Sequence, residues 1–209
     1  LEHAGELMSI PSVALPGRRS EYRLGLGLHG KAKRLLKEFA PDLIHIAAPD
    51  YTGFGALNYA RRNGIPAVAS FHTRFDTYPR FYNMHWLEKH LTSYMRYFYN
   101  RCAHVYPPSH SMVEELKRDG IGRDIRIWTR GVDGDMFNPS RRDMAWREAN
   151  GLHADDVVVA FVGRLVLEKG IDLFVNAFRT ARERAPSLRA LVVGDGPEGA
   201  AFREMLPEG

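Results

Sequence analysis

The sequence predicts an α/β protein with two Rossmann-like parallel-sheet units, the second of them incomplete. Three observations carry that expectation. Short apolar runs alternate with amphipathic, helix-length segments along most of the chain, the signature of repeated strand–helix units. The apolar runs are largely unbroken rather than alternating, as strands with helices on both sheet faces are. A stretch rich in Gly, Asp and Pro, residues 131–143 (GVDGDMFNPSRRD), has little periodicity and marks a junction between units.

Taken in order, residues 30–40 (GKAKRLLKEFA) read as a basic amphipathic helix, with Lys33, Arg34 and Lys37 beside Leu35, Leu36 and Phe39. Such a helix either packs its apolar stripe on a sheet with its charges in water, or lies on an anionic membrane surface. Residues 42–48 form a strand and 53–62 a helix, stopped by Asn63-Gly64. The next strand covers 66–71, followed by a polar, aromatic loop, a long helix over 85–101 and a short strand at 104–107. Ser111 with Glu114 gives a capping-box signal for the helix that ends at Asp119-Gly120, and a strand follows over 124–129.

Beyond the junction, residues 156–163 are a strand. The helix over 171–184 aligns Ile171, Phe174, Val175, Phe178 and Ala181 on one face, the period of about 3.6 of a helix, and Pro186 stops it. Residues 188–194 are the second strand, and another helix starts from Pro197. The expected division is an N-terminal unit over 1–137, an interdomain linker over 138–155 and the beginning of a C-terminal unit over 156–209.

Composition narrows the function. Apolar residues make up 44% and charged residues 26%, ordinary for a globular protein, and no apolar run approaches the roughly 20 residues of a membrane span. The start, LEHAGELMSIPSV, has acids where a secretory leader has a basic region. It also lacks an initiator Met, and the expectation is a fragment of a longer protein. A lone cysteine, Cys102, excludes an internal disulfide, suits a reducing compartment and reads as a core residue. The net charge of +4 is mild and the aromatic residues are not interleaved with basic stripes, so nucleic acid is not an expected partner. No HExxH, CxxC or GxSxG occurs, which argues against a dedicated metal site and against a hydrolase elbow.

In an open parallel sheet, ligands bind beyond the carboxyl ends of the strands, so the loops that follow strands matter most. Loop 163–170 (GRLVLEKG) offers Gly163 for close approach, Arg164 as a forked donor, Lys169 as a mobile charge and a helix N-terminus beside them. That set suits a diphosphate; the alternative is a structural pair between Arg164 and Glu168. Loop 194–198 (GDGPE) opens on the same edge as a tight turn with exposed backbone groups. His72 directly follows a strand, with Arg74, Asp76 and several aromatic residues after it, and suits hydrogen bonding to a sugar hydroxyl or proton transfer. Loop 48–55 (APDYTGFG) is a fourth candidate for the same edge.

Residues 161–178 (FVGRLVLEKGIDLFVNAF) and 191–197 (LVVGDGP), preceded by 41–78, 107–121 and 127–143 (IWTRGVDGDMFNPSRRD), resemble the retaining glycosyltransferases of family 4. Within it they are most similar to the branch of α-mannosyltransferases and sulfoquinovosyltransferases. The resemblance covers nearly the whole chain from Pro41 on and implies a fold of the GT-B type. It implies transfer of a hexose from a nucleotide-diphosphate sugar, GDP-mannose preferred over a UDP-sugar, to a lipid or saccharide acceptor with retention of configuration. Arg164 and Lys169 would grip the donor diphosphate, with Gly163 allowing close approach. Gly194, Asp195, Gly196, Pro197 and Glu198 would face the nucleotide, His72 would be the catalytic residue at the transferred sugar, and Gly131 and Asp133 would border the cleft. No metal cofactor is expected. The implied location is cytoplasmic, peripheral on the inner face of a membrane.

The chain departs from the family in two respects. It has no Gly-rich acceptor loop before Asp42, and no pair of glutamates spaced E-x7-E. Two other readings therefore stand beside the transferase: a GT-B enzyme that epimerises the nucleotide-sugar itself, and a non-catalytic nucleotide- or anion-binding module.

Overall fold

The structure, a computed structural model, describes residues 8–14 and 23–206. The N-terminal segment compared above with a secretory leader lies mostly outside the described residues. The chain divides into two units, Leu1–Arg130 and Gly131–Gly209.

The first unit opens with two short antiparallel strands, β1 (Ser12–Ala14) and β2 (Arg23–Gly25). The Arg23 guanidinium ties them further, donating to the hydroxyl and the carbonyl of Ser12, each at 2.8 Å. Sequence periodicity does not reveal strands this short. Helix α1 (Gly30–Phe39) follows; the His29 imidazole caps its start by accepting from the Ala32 N–H, and Ala40 in the left-handed region ends it. Ala32 is the one buried residue of α1 among those described, and Phe39 is 79% exposed.

Then come β3 (Ile44–Ile46), α2 (Tyr51–Arg62), β4 (Ala67–Ser70), α3 (His85–Tyr99), β5 (His104–Tyr106) and α4 (His110–Arg118). The strands form a parallel sheet in the order β3-β4-β5. Adding each strand on the same side, with right-handed crossovers, places the connecting helices on one face. The core bears this out: Ile46, Ala67, Ala69 and Val105 pack with Leu57 of α2, Phe98 of α3 and Leu116 of α4 in one cluster. Cys102 is buried in that cluster, as its sequence context predicts.

Two expectations need correction. The cap of α4 is Ser109, whose hydroxyl accepts from the Met112 N–H at 3.3 Å, while the Ser111 hydroxyl bonds to Ser109. The strand expected over 124–129 contracts to a single bridge between Val105 and Ile125. The Trp128 N–H still donates to the Pro107 carbonyl, but Pro107 and Pro108 have no N–H to return, so the ladder stops. His45, Ser70 and Tyr106 lie off the helix-covered cluster, and His45 bonds to the Ser70 hydroxyl at 2.8 Å.

In the second unit, residues 138–155 hold a 3-10 turn (Pro139–Arg141) and helix α5 (Met144–Ala149), capped by Asp143. Arg147 of α5 is nearly buried and donates to the carbonyls of His153 and Asp156, each at 2.8 Å, while the Asp156 carboxylate accepts from the His153 N–H. This fastens α5 to the start of β6 (Val157–Val162), which pairs in parallel with β7 (Leu188–Val193). Helices α6 (Ile171–Arg184) and α7 (Gly199–Met205) complete the unit, with Leu165, Ile171, Val175 and Phe202 as its core and Phe161, Phe174 and Val192 packed against it. The opposite face of β6 is open, and Val157 and Val159 are exposed. No described helix is long and apolar enough to cross a membrane.

Candidate functional site

The parallel register of β6 and β7 runs from Val157 opposite Leu188 to Val162 opposite Val193. Pairing continues past both strands. The Gly163 N–H donates to the Val193 carbonyl and the Leu165 N–H to the Asp195 carbonyl, both at 2.9 Å, and the Glu198 N–H returns to the Leu165 carbonyl at 3.1 Å. Loops 163–170 and 194–198, two separate candidates in the sequence, are therefore one joined surface at the carboxyl edge of the sheet.

Glycine is what permits the joint. Gly194 has φ 145°, and a Cβ built on it would fall 1.8 Å from the Gly163 carbonyl oxygen. A Cβ on Gly196 would fall 2.3 Å from the Leu165 carbonyl oxygen. Both glycines thus serve loop–loop contact before any ligand contact. At Gly163, by contrast, a Cβ would meet nothing within 4 Å.

Beyond this joint Leu165 and Val166 are buried and anchor the loop from below. Leu167–Lys169 make a 3-10 turn, and Gly170, in the left-handed region, begins α6 with no side-chain cap. A helix start of this kind presents N–H groups and a positive dipole end. Arg164 is half-buried and Lys169 is exposed. Arg164, Glu168 and Glu198 are each engaged with a neighbour. The Asp195 carboxylate is turned to its own loop, accepting from the Gly196 N–H at 2.7 Å, and Pro197 lies between that turn and Glu198.

In the first unit His72 stands two residues beyond β4, after the fully buried Phe71, whose N–H donates to the Tyr106 carbonyl. His72 is at the surface. What burial it has, then the positive charge of Arg130 and that of His45, lowers its pKa below the ordinary imidazole value. It is a neutral ring at pH 7, able to donate through one nitrogen and accept through the other.

The loop after His72 is held by charge. Arg74 makes a bidentate pair with Asp76 at 2.9 and 3.0 Å and also reaches Glu115 at 3.1 Å and Asp119 at 2.9 Å. Burial opposes the Arg74 charge, but its bonds to Asp76 and Asp119 outweigh that and raise its pKa. Asp76 is fully buried and accepts from the Thr92 hydroxyl of α3 at 3.0 Å. In the sequence Arg74 and Asp76 stand only as neighbours of His72, and the Arg-x-Asp spacing is the local signal of their pairing.

The other candidates behave differently. Loop 48–55 is sealed by its own chain: Asp50 caps Gly53 at 2.7 Å, the Tyr94 hydroxyl donates to the Pro49 carbonyl, and a Cβ on Gly53 would fall 2.1 Å from the Ala48 carbonyl oxygen. Its glycine serves strand–helix packing. Gly131 and Asp133 begin the second unit, where the Asp133 carboxylate accepts from the N–H groups of Asp135 and Met136 in a local turn. Gly131 has open space around it.

Comparison with known proteins agrees with this architecture. The model of Glycosyltransferase Family 4 matches residues 2–135, and that of Glycosyl transferases group 1 matches residues 143–206. A GDP-mannose-dependent alpha-mannosyltransferase of Corynebacterium glutamicum is 32% identical over 203 residues, covering 97% of this chain and 47% of the relative. Sulfoquinovosyl transferase SQD2 of Arabidopsis thaliana is 32% identical over 178 residues, covering 83% of this chain and 34% of the relative. The chain thus spans half or less of the length of these curated relatives. Among solved structures, sucrose-phosphate synthase from Thermosynechococcus elongatus superposes with a TM-score of 0.63 at 19% identity, over 83% of this chain and 43% of that one.

Proposed function

The chain belongs to glycosyltransferase family 4, with the GT-B type of α/β fold, and on that footing we propose that its full-length parent transfers a hexose from a nucleotide-diphosphate sugar to a lipid or saccharide acceptor. The reading takes GDP-mannose as the preferred donor, a UDP-sugar as the other option, and retention of anomeric configuration as the outcome. Similarity to a GDP-mannose-dependent mannosyltransferase supports the donor preference.

One observation carries the proposal: the loops after β6 and β7 are hydrogen-bonded into a single surface beside the uncapped start of α6. That surface carries Gly163, Arg164 and Lys169 on one strand exit and Gly194, Asp195, Gly196, Pro197 and Glu198 on the other. In this reading Arg164 and Lys169 neutralise the donor diphosphate together with the helix dipole, and the 194–198 turn meets the nucleotide through its backbone. As the bond to the sugar breaks, negative charge builds on the leaving nucleoside diphosphate, and preorganised cations stabilise that charge most where it develops. No metal is required in this scheme. His72, kept neutral, hydrogen-bonds the transferred sugar, and Gly131 and Asp133 border the cleft.

We place the parent on the cytoplasmic face of a membrane. The support is α1, where Lys33, Arg34 and Lys37 accompany a Phe39 left in solvent. Sedimentation with anionic vesicles should carry the chain down, and neutral vesicles should not. The activity is tested on the full-length protein by supplying GDP-mannose and UDP-sugars with and without acceptor extracts. Formation of an α-linked product only when acceptor is present supports transfer with retention. Conversion of the nucleotide-sugar without acceptor would make the protein an epimerase instead.

A further inference from the structure

We propose that Arg74 and Asp76 form a clamp that positions His72 at the carboxyl edge of β4. The inference rests on the role given to His72 for its catalytic meaning, but the geometry stands by itself. His72 lies between two fixed points. On one side, Phe71 is fully buried and its N–H donates to the Tyr106 carbonyl at 3.0 Å. On the other, Asp76 is fully buried and bonded to Thr92 of α3. Arg74 bridges from Asp76 to Glu115 on α4 and Asp119 at its end, and the Thr77 hydroxyl donates back to the Arg74 carbonyl at 2.9 Å. Two helices and a neighbouring strand therefore set the path of a short loop that would otherwise be free at the strand exit.

A buried carboxylate is an unusual choice if filling space were the only need. A buried ion pair adds little net stability over well-packed apolar residues. What it fixes is geometry, because a bidentate guanidinium–carboxylate pair has a narrow range of orientations. Arg74 and Asp76 are positioning residues: they touch neither donor nor acceptor in this account, and they act through the place they give to His72. Displacing a reacting group by about 1 Å is enough to slow an enzyme on the order of a hundredfold.

The test has two arms that separate the clamp from the role of His72. In the first, the His72 ring is followed by NMR through a pH titration of this chain and of its Asp76→Asn, Arg74→Lys and Thr92→Val variants, with His72→Gln giving the assignment. The clamp predicts a His72 midpoint that rises toward about 6.5 in the charge-conserving Arg74→Lys, as the loop loosens into water, with a smaller rise in Thr92→Val. In Asp76→Asn the lost carboxylate opposes that rise, so the charge-conserving variants carry the sign. Should Asp76→Asn fail to fold, the milder Arg74→Lys and Thr92→Val carry the measurement. Folded charge-conserving variants whose His72 titration coincides with that of the unaltered chain would overturn the proposal. In the second arm, the full-length protein is assayed. Asp76→Asn should lower kcat on the order of a hundredfold with donor KM little changed, and His72→Ala should lower it at least as far. Full activity in His72→Ala would sink the catalytic reading of His72 and leave the titration to decide the clamp. Loss in His72→Ala with an unaltered kcat in folded Asp76→Asn would sink the clamp alone.

Discussion

The Leu165 N–H donates to the Asp195 carbonyl across 2.9 Å, so the loops that leave β6 and β7 are halves of one structure. That bond lies beyond the last paired strand residues, Val162 and Val193, and brings the Arg164–Lys169 segment beside the 194–198 turn. The shared edge depends on backbone contact at Gly194 that no other residue tolerates.

Gly194→Ala should therefore cost about 2–4 kcal/mol, combining a strained φ with a Cβ pressed into an immovable carbonyl. Gly163→Ala, where the added carbon meets open space, should cost about 1–2 kcal/mol from φ alone. Urea unfolding of both variants checks the order, which the loop joint fixes.

His72 gives a pH prediction with a definite sign. Its folded pKa is lowered, first by burial and then by Arg130 and His45, so the folded chain binds that proton less readily than the unfolded chain. Its contribution to stability is present above the unfolded value of about 6.5 and is lost as pH falls through the lower folded value. Arg130→Gln should move the His72 midpoint upward in an NMR titration, since one positive charge no longer opposes protonation.

Cys102 offers a check on the core of the first unit. Burial pushes its thiol up to about 12, so the folded chain should resist a thiol-specific reagent at pH 8 and react promptly once unfolded in urea. Fast labelling of the folded chain would contradict the core described above.

Ser109, not Ser111, caps α4. Ser109→Ala should destabilise the chain by about 1 kcal/mol, and Ser111→Ala by no more than about 0.5 kcal/mol. Thermal or urea unfolding of the pair resolves which serine holds α4.

Much of this fold is legible in the sequence, and particular residues show why. The α6 pattern of Ile171, Val175 and Phe178 needs only helical periodicity, and the structure returns that helix at Ile171–Arg184 with those residues buried. Asn63-Gly64 and Asp119-Gly120 end their helices because Gly64 and Gly120 adopt positive φ. The capping-box pattern misplaces the cap of α4 because serines stand at both 109 and 111, and local pattern does not decide which of them precedes the first turn. Strands β1 and β2 are not legible in the sequence because three residues each hold no period. At the candidate site, Gly163, Arg164 and Lys169 are legible as one loop, but the joining of that loop to Gly194 and Gly196 is a contact between distant segments. The Arg74–Asp76 clamp is long-range in the same way, since its partners Thr92, Glu115 and Asp119 arrive from two helices. Local spacing names candidates; tertiary pairing assigns them their neighbours.

The most direct measurement of the central claim is calorimetric titration of this chain with GDP and UDP, repeated for Arg164→Ala and Lys169→Ala. The account predicts saturable binding of a nucleoside diphosphate, weakened about tenfold or more by each substitution as charge-assisted bonds to the diphosphate are lost, with sulfate a far poorer competitor. Affinity unchanged in both variants, or sulfate competing as well as GDP, would contradict it.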